Sequence, residues 1–434
     1  MARKSFIVST LLTEQAKSLL RESGSLKERQ AKGLKRAFEK LGPLFIKLGQ
    51  IISVRSEEFP KELVEEMSTL LDSTHPITYE EIDSLIYSKF GLFADKIFNK
   101  FSYEPIASAS IAQVHTAELK TDYRSPSSKT IKAGTKLAIK IIKPESKIQI
   151  SEDLEVLKSL SPLINRLGIA QLISLDSYLL ELERSFEREL DLRKEAYFQE
   201  RFGFDFKDDS NIICPQTIWP LSCSHILTMT YIEGYKLNEI DKLTHLDGRA
   251  LAIYGAQSFL RQVFEFGRYH ADLHPSNMLV TPDAKLAYLD FGIVGFLSET
   301  ERLHLAKLFA ALIFKDPKRA LSSAKDLGFK IPQEAEKRLE KEIIAHINNS
   351  MRADKSLNFA ELAKLLLQSF YAHKVKIPDG FGALLKSLAT VEGVARQLYP
   401  DINILEIARP YIVRKELASR MQEAFSAGIQ ALLV

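Results

Sequence analysis

Cysteine is almost absent: Cys214 and Cys223 are all that 434 residues contain. That excludes a disulfide framework, and with no C-x-x-C pair it also excludes the usual cysteine zinc or dithiol redox sites. A reducing compartment is favoured. Long apolar runs are missing too. The longest, Leu308 to Phe314, falls far short of the roughly 20 residues that span a bilayer as a helix. Arg3 and Lys4 precede an apolar run from Phe6 to Leu12, but Ser9 and Thr10 interrupt it and no small-residue cleavage site follows. This start reads as an amphipathic helix rather than a secretory signal. No internal repeat and no low-complexity tract is present. Charge of one sign is not in excess, with 59 Lys and Arg against 56 Asp and Glu, and no recognition module points to nucleic acid. The expectation is a cytoplasmic chain, peripheral at a membrane at most, with no transmembrane segment or signal peptide.

What is present is a chain long enough for two lobes. Its basic residues gather at the front, ten Lys or Arg against four Asp or Glu in residues 1 to 40. From Leu26 to about Leu71, apolar residues recur at three and four, and Gly42-Pro43 should split this stretch into two helices. Thr78, with Glu81 three residues on, should cap another helix. Strand patterns follow at Ile111 to Leu119 and Lys136 to Ile142, and the polar stretch between them reads as a long hairpin loop. One helix is expected over Asp176 to Phe202, a strand at His225 to Tyr231, and mostly helix from Leu237 onward. The exception is a hairpin, residues 278–280 and 286–289, around Thr281-Pro282-Asp283-Ala284. Lys415 to Val434 reads as an amphipathic helix packed on the C-terminal lobe.

The chemistry is concentrated in HADLHPSN, residues 270–277, and in Asp290-Phe291-Gly292. The pattern H-R-D-L-x-x-x-N followed by D-F-G belongs to the protein-kinase fold, and Asp272, Asn277 and Asp290 satisfy its intervals. ATP phosphates need bridging Mg²⁺ or Mn²⁺, hard cations that prefer oxygen ligands. Asp290 is then the main metal ligand and Asn277 the second. Asp272 is the catalytic residue that accepts a proton from, or orients, the attacking hydroxyl or water. Any one motif alone would read as a cap or a turn; the ordered set on a hairpin does not. The expected fold is α+β, a two-lobed protein-kinase-like fold with a helical N-terminal extension and a mostly helical C-terminal lobe. The expected division is 1–100 for the extension, 101–235 for the sheet lobe and 236–434 for the C-terminal lobe.

Lys140, in Leu137-Ala138-Ile139-Lys140, occupies the place of the strand lysine that grips the α- and β-phosphates, with small Ala138 on the same strand face. Its carboxylate partner is Glu187, Glu189 or Glu195. On one continuous helix Glu189 and Glu195 would lie about 240° apart, so both cannot face Lys140, and helix geometry does not choose. No G-x-G-x-x-G precedes Lys140. Ala107, Ser108, Ala109, Ser110, Ile111, Ala112, Gln113 and Val114 stand in its place as the nucleotide-covering loop. Alanine avoids the positive φ that glycine takes freely, so this loop should be stiff.

Together, Lys47-Leu48-Gly49-Gln50, the Ala107 to Ala117 segment, the Lys140 strand, Glu189 to Ala196, HADLHPSN and D-F-G resemble the UbiB/AarF family of atypical kinases from about Leu41 to Gly295. The resemblance implies a kinase-like fold with an added helical extension, ATP and metal binding, and a role in ubiquinone or other isoprenoid-quinone lipid metabolism. It implies that Lys47 and Gln50 of a K-x-G-Q motif meet Glu189 and Asp191 of an E-x-D motif over the nucleotide site, filling the groove where a protein kinase admits its peptide. It also implies that Glu195 is the partner of Lys140. Ser276 replaces a usual glycine, Arg55-Ser56-Glu57 replaces R-P-D, and Thr230 replaces a commonly acidic hinge residue, with backbone contacts left available there.

The function expected is an ATP-dependent atypical kinase or ATPase acting beside an isoprenoid or quinone-precursor lipid, with peripheral contact to a membrane or a biosynthetic complex. A protein serine/threonine kinase is the first alternative, disfavoured by the Ala-rich loop and the lack of an A-P-E segment. A non-catalytic scaffold switched by nucleotide, with Lys27, Arg29, Lys32, Lys35, Arg36 and Lys40 attracted to an anionic membrane surface, is the second.

Overall fold

Helix boundaries follow the local chemistry. In the computed structural model, Ser25, Thr78 and Ser298 each open a helix with a reciprocal capping box to Glu28, Glu81 and Glu301, which satisfies two orphan amides apiece. The structure describes residues 2–54, 59–70, 77–126, 130–166, 175–237, 239, 246–273, 275–350, 358–378, 380–415 and 417. Arg55-Ser56-Glu57, His274 and, apart from residues 415 and 417, the final amphipathic segment lie outside them.

The chain divides into two compact units, Met1–Tyr197 with Gln216–Tyr231, and Phe198–Pro215 with Ile232–Val434. The first unit begins with α1 (Ala2–Arg21), α2 (Leu26–Leu41), α3 (Pro43–Val54) and α4 (Lys61–Ser68). Gly42, at φ 101, separates α2 from α3, as the Gly-Pro pair predicts. α5 (Tyr79–Phe90) and α6 (Ala94–Ile97) lead into β1 (Phe98–Asn99), β2 (Ala107–Ser108) and β3 (Ala112–Leu119). The polar stretch expected to be a plain loop carries its own two-stranded ladder, β4 (Tyr123–Arg124) with β5 (Thr130–Ile131). β6 (Lys136–Ile142) then runs antiparallel to β3.

Next comes α7 (Pro144–Arg166), which the sequence reading passed over. Pro144 opens it, as a residue without an amide hydrogen can at a first helical turn. The single helix expected over Asp176 to Phe202 is two, α8 (Leu175–Glu189) and α9 (Leu192–Asp205), interrupted at Leu190-Asp191. β7 (Ile212–Ile213) belongs to the second unit, and β8 (Ile226–Thr230) returns to the first, pairing with β6.

β6 is apolar on both faces because both are covered. Leu137, Ile139 and Ile141 pack with Ile82, Leu85 and Ile86 of α5; Ala138 and Ile142 pack with Leu192 and Ala196 of α9 and with Leu227 and Met229. The helices α1 to α4 share a core with α7 and α8, built on Phe38, Leu41, Leu44, Phe45, Ile150 and Leu182. Gly49 lies where α3 closes on Phe38, Met67 and Leu70, so that a Cβ would collide there. Part of the basic front is paired internally. Glu14, buried on α1, meets Lys17, Arg36 and Lys40, and Glu22 meets Lys32 and Arg36.

In the second unit β9 (Tyr235–Lys236) is followed by α10 (Gly248–Arg261), which ends in a π turn over Gln262–Phe266 stopped by Gly267 at φ 66. β10 (Arg268–His270) pairs with β13 (Val294–Phe296), while β11 (Met278–Val280) and β12 (Leu286–Tyr288) join β9 and β7 in a four-stranded sheet. Five helices follow, α11 (Glu299–Ile313), α12 (Pro317–Asp326), α13 (Glu336–Asn349), α14 (Phe359–Ala372) and α15 (Phe381–Leu398), with residues 404–415 also helical. No helix among the described residues is long and apolar enough to cross a membrane.

Candidate functional site

Asp272, Asn277 and Asp290 lie just beyond the ends of β10, β11 and β12 in the second unit. β11 and β12 pair with Met278 opposite Tyr288, and the Leu289 amide donates to the Asn277 carbonyl at 3.0 Å. Asn277 and Asp290 therefore leave the same end of one hairpin. β10 pairs with β13, His270 opposite Val294, and the Ala271 amide donates to the Ile293 carbonyl at 3.0 Å. The strand leading into Asp272 thus runs beside the segment that follows Asp290.

Each side chain is oriented. Nδ2 of Asn277 donates to the Asp272 carbonyl at 3.2 Å; with the nitrogen committed, Oδ1 is the end that can face a cation. Oδ1 of Asp290 accepts from the Gly292 amide at 2.8 Å. His270 is buried. Its amide donates to Gln262 Oε1 at 3.0 Å, and its Nδ1 accepts from the Asp272 amide at 3.3 Å. Burial pushes the imidazole pKa down against the pull of Asp290 and Asp272, and the ring's bond from the Asp272 amide makes it a prop for the loop. Asp272 Oδ1 lies 3.4 Å from Nζ of Lys386 on α15, a neighbour that no local pattern in the sequence announces.

The donor set of one carboxylate and one amide oxygen is hard and suits Mg²⁺ or Mn²⁺. No group of three His, Cys, Asp or Glu residues able to hold a metal occurs among the described residues.

In the first unit Lys140 stands directly opposite Val114 on β3. Its Nζ donates to both carboxylate oxygens of Glu195 at 2.8 Å. The two-fold choice posed by one continuous helix does not arise, because Glu189 closes α8 while Glu195 lies in the first turn of α9. Glu189 Oε1 instead lies 2.6 Å from Lys47 Nζ and accepts from Ser185 Oγ at 2.8 Å. Asp191 is engaged by Arg193, whose Nη2 lies 2.7 Å from Oδ2, and this hydrogen bonding holds its pKa below the usual carboxylate value. Gln50 is half-buried on α3, one turn after Lys47.

The Ala-rich loop is a hairpin. Ala107 pairs with Val114 and Ser108 with Gln113, and the Ala109 amide donates to the Ala112 carbonyl at 2.8 Å. Lys143, buried at 4% exposure, closes it: Nζ donates to Ser108 Oγ at 3.1 Å and to the Ala109 carbonyl at 2.9 Å. The sequence reading missed this lysine; the Lys143-Pro144 pair at the strand-to-helix corner was its only local sign. Ala107, Ser108 and Ala109 are exposed, while Ile111, Ala112 and Gln113 are buried. Gln113 points away from Lys140, since alternate residues of a strand face opposite ways. Its Oε1 accepts from the Ile77 amide and its Nε2 lies 2.7 Å from His115 Nε2. At the end of β8 the amides of Thr230 and Tyr231 donate to the carbonyls of Gln216 and Lys136, so these two donors are engaged rather than open.

A family model described as the ABC1 atypical kinase-like domain matches residues 69–324, and one described as the UbiB helical domain matches residues 346–403. The chain is 30% identical over 402 residues to an uncharacterized Synechocystis protein, covering 90% of this chain and 68% of that one. It is 29% identical over 420 residues to an uncharacterized aarF domain-containing protein kinase of Arabidopsis thaliana, described as chloroplastic, covering 96% of this chain and 58% of that one. Among solved structures, the Mycobacterium tuberculosis Rv3197–erythromycin complex shares the fold with a TM-score of 0.53 at 19% identity, over 85% of this chain and 92% of the other. The α+β kinase-like architecture with a helical C-terminal region is therefore the one present. With more than half of its length matched by that model, the chain belongs to the ABC1 atypical kinase-like family, the UbiB/AarF group.

Proposed function

We propose that this protein is an ATP- and Mg²⁺-dependent atypical kinase or ATPase that supports ubiquinone or another isoprenoid-quinone lipid pathway. The observation that carries the nucleotide reading is the placement of Asn277 and Asp290 at one end of the β11–β12 hairpin. The quinone side rests on family membership.

In this reading Asp290 and Asn277 hold the cation, which neutralises charge on the β- and γ-phosphates when bound. Lys140, oriented by Glu195, contacts the α- and β-phosphates, and the Ala107–Val114 hairpin covers them through its backbone. Asp272 orients the acceptor hydroxyl or water and takes its proton. The Lys47–Glu189 pair fixes α3 against α8, and we assign Gln50 and Asp191 to the same region as groups that limit access of a peptide substrate.

Thermal-shift titration with ATP and Mg²⁺ or Mn²⁺ tests the nucleotide reading: wild type should be stabilised and Asp290→Asn should not. Equal shifts in the two proteins would sink it. A quinone and isoprenoid-lipid profile of a deletion strain, complemented by wild type and by Asp290→Asn, tests the pathway.

A further inference from the structure

The catalytic loop HADLHPSN contains no lysine or arginine. In the structure the cation beside Asp272 comes from elsewhere, 114 residues along the chain, where Nζ of Lys386 lies 3.4 Å from Oδ1. Lys386 rides on α15, whose other side is anchored in the core by Leu384, Ser387, Leu388 and Val391. The lysine itself is 58% exposed and the aspartate 45%. Lys386 is the one cation paired with Asp272 among the described residues.

We propose that Lys386 is a positioning residue for Asp272, supplied to the catalytic loop by the segment that matches the UbiB helical domain. The inference rests on the reading of Asp272 as the group that takes the acceptor's proton. A carboxylate on a short side chain has several rotamers of similar energy. A cation held on a packed helix favours the rotamer that turns Oδ1 toward α15, which leaves Oδ2 for the acceptor. During transfer, the acceptor oxygen bonds to the γ-phosphorus and the bond from that phosphorus to the bridging oxygen breaks. ADP leaves with the electron pair, and the acceptor's proton passes to Asp272. Lys386 takes no part in the bond changes. Its contribution is geometric, the kind of placement whose loss costs rate rather than nucleotide affinity.

The full-length chain is tested as Lys386→Gln and Lys386→Arg, with Asp290→Asn as control. Three quantities are read: phosphate release with ATP and Mg²⁺, KM for ATP, and amide exchange of residues 270–277 without nucleotide. Lys386→Gln should lower kcat about ten-fold, with KM for ATP kept within about two-fold. It should speed exchange of the loop by about two- to five-fold, the range of an exposed ion pair, and Lys386→Arg should recover most of both losses. Wild-type kcat in Lys386→Gln, with Asp290→Asn inactive, overturns the positioning role and leaves the kinase reading standing. A rise in KM with kcat unchanged also overturns it, since Lys386 would then act on nucleotide binding. Turnover by wild type no greater than by Asp290→Asn removes the kinase reading and this role with it.

Discussion

Nζ of Lys47 lies 2.6 Å from Oε1 of Glu189, joining α3 of the helical front to the end of α8, with the two side chains only 24% and 17% exposed. Partial burial makes this pair more than a surface contact. Removing one partner leaves the other charge poorly solvated. In a double-mutant cycle of Lys47→Met and Glu189→Gln, urea denaturation should give a coupling of roughly 1–2 kcal/mol. Additive effects would show that the pair carries no stability.

Lys143 should decide how firmly the Ala-rich hairpin is closed. Lys143→Met keeps the buried stem and removes the bonds to Ser108 and Ala109, at a cost of about 1.5–3 kcal/mol for hydrogen bonds to a charged group. Amide exchange in residues 107–112 should accelerate about ten-fold or more, 1.4 kcal/mol being a factor of ten. Unchanged exchange would mean that strand pairing alone holds the loop.

Glu14 ties stability to pH. Its pKa is lowered, first by the hydrogen bond from Lys40 and then by that from Lys17. A carboxylate depressed in the folded state contributes stability above its unfolded value, and that contribution is lost as pH falls through the folded value. Wild type should therefore melt higher than Glu14→Gln at pH 7, and the gap should close below about pH 4, under the ordinary glutamate range. Melting curves across pH 3 to 7 check this; a gap that stays constant would place the effect elsewhere.

Gly292 keeps the Asp290 carboxylate in place by lacking a side chain. Its amide donates to Oδ1, and a Cβ there would stand 3.1 Å from the same oxygen. Gly292→Ala should weaken Mn²⁺ binding in the presence of ATP by roughly ten-fold, a shift of about 1.4 kcal/mol, while the melting temperature without metal stays near wild type. Calorimetric titration reads it, and an unchanged affinity would show that the carboxylate relaxes freely.

Much of the fold was legible in the sequence because it depends on short-range rules. Gly42-Pro43 had to break a helix, Thr78 had to cap one, and the spacing of Asp272, Asn277 and Asp290 already implied a hairpin. The misreadings have equally local causes. Helical periodicity continues in pattern through Leu190-Asp191, so the break between α8 and α9 was invisible, and with it the reason Glu189 and Glu195 serve different lysines. The polar stretch after Leu119 has too few apolar residues to announce β4 and β5, which add Ile131 and Tyr123 to the core under the sheet.

By itself the sequence determined the identity and order of the chemical groups, and through helix caps, strand alternation and the Ala-rich loop it determined most of the elements that carry them. Family resemblance implied Lys140 with Glu195 and Lys47 near Glu189, but the residues by themselves left those partners open, and only the tertiary structure brought out Lys143 with Ser108 and Ala109, and Lys386 with Asp272. Electrostatic partners between distant segments are chosen by how the packed cores bring those segments together, and no spacing along the chain encodes a distance across it.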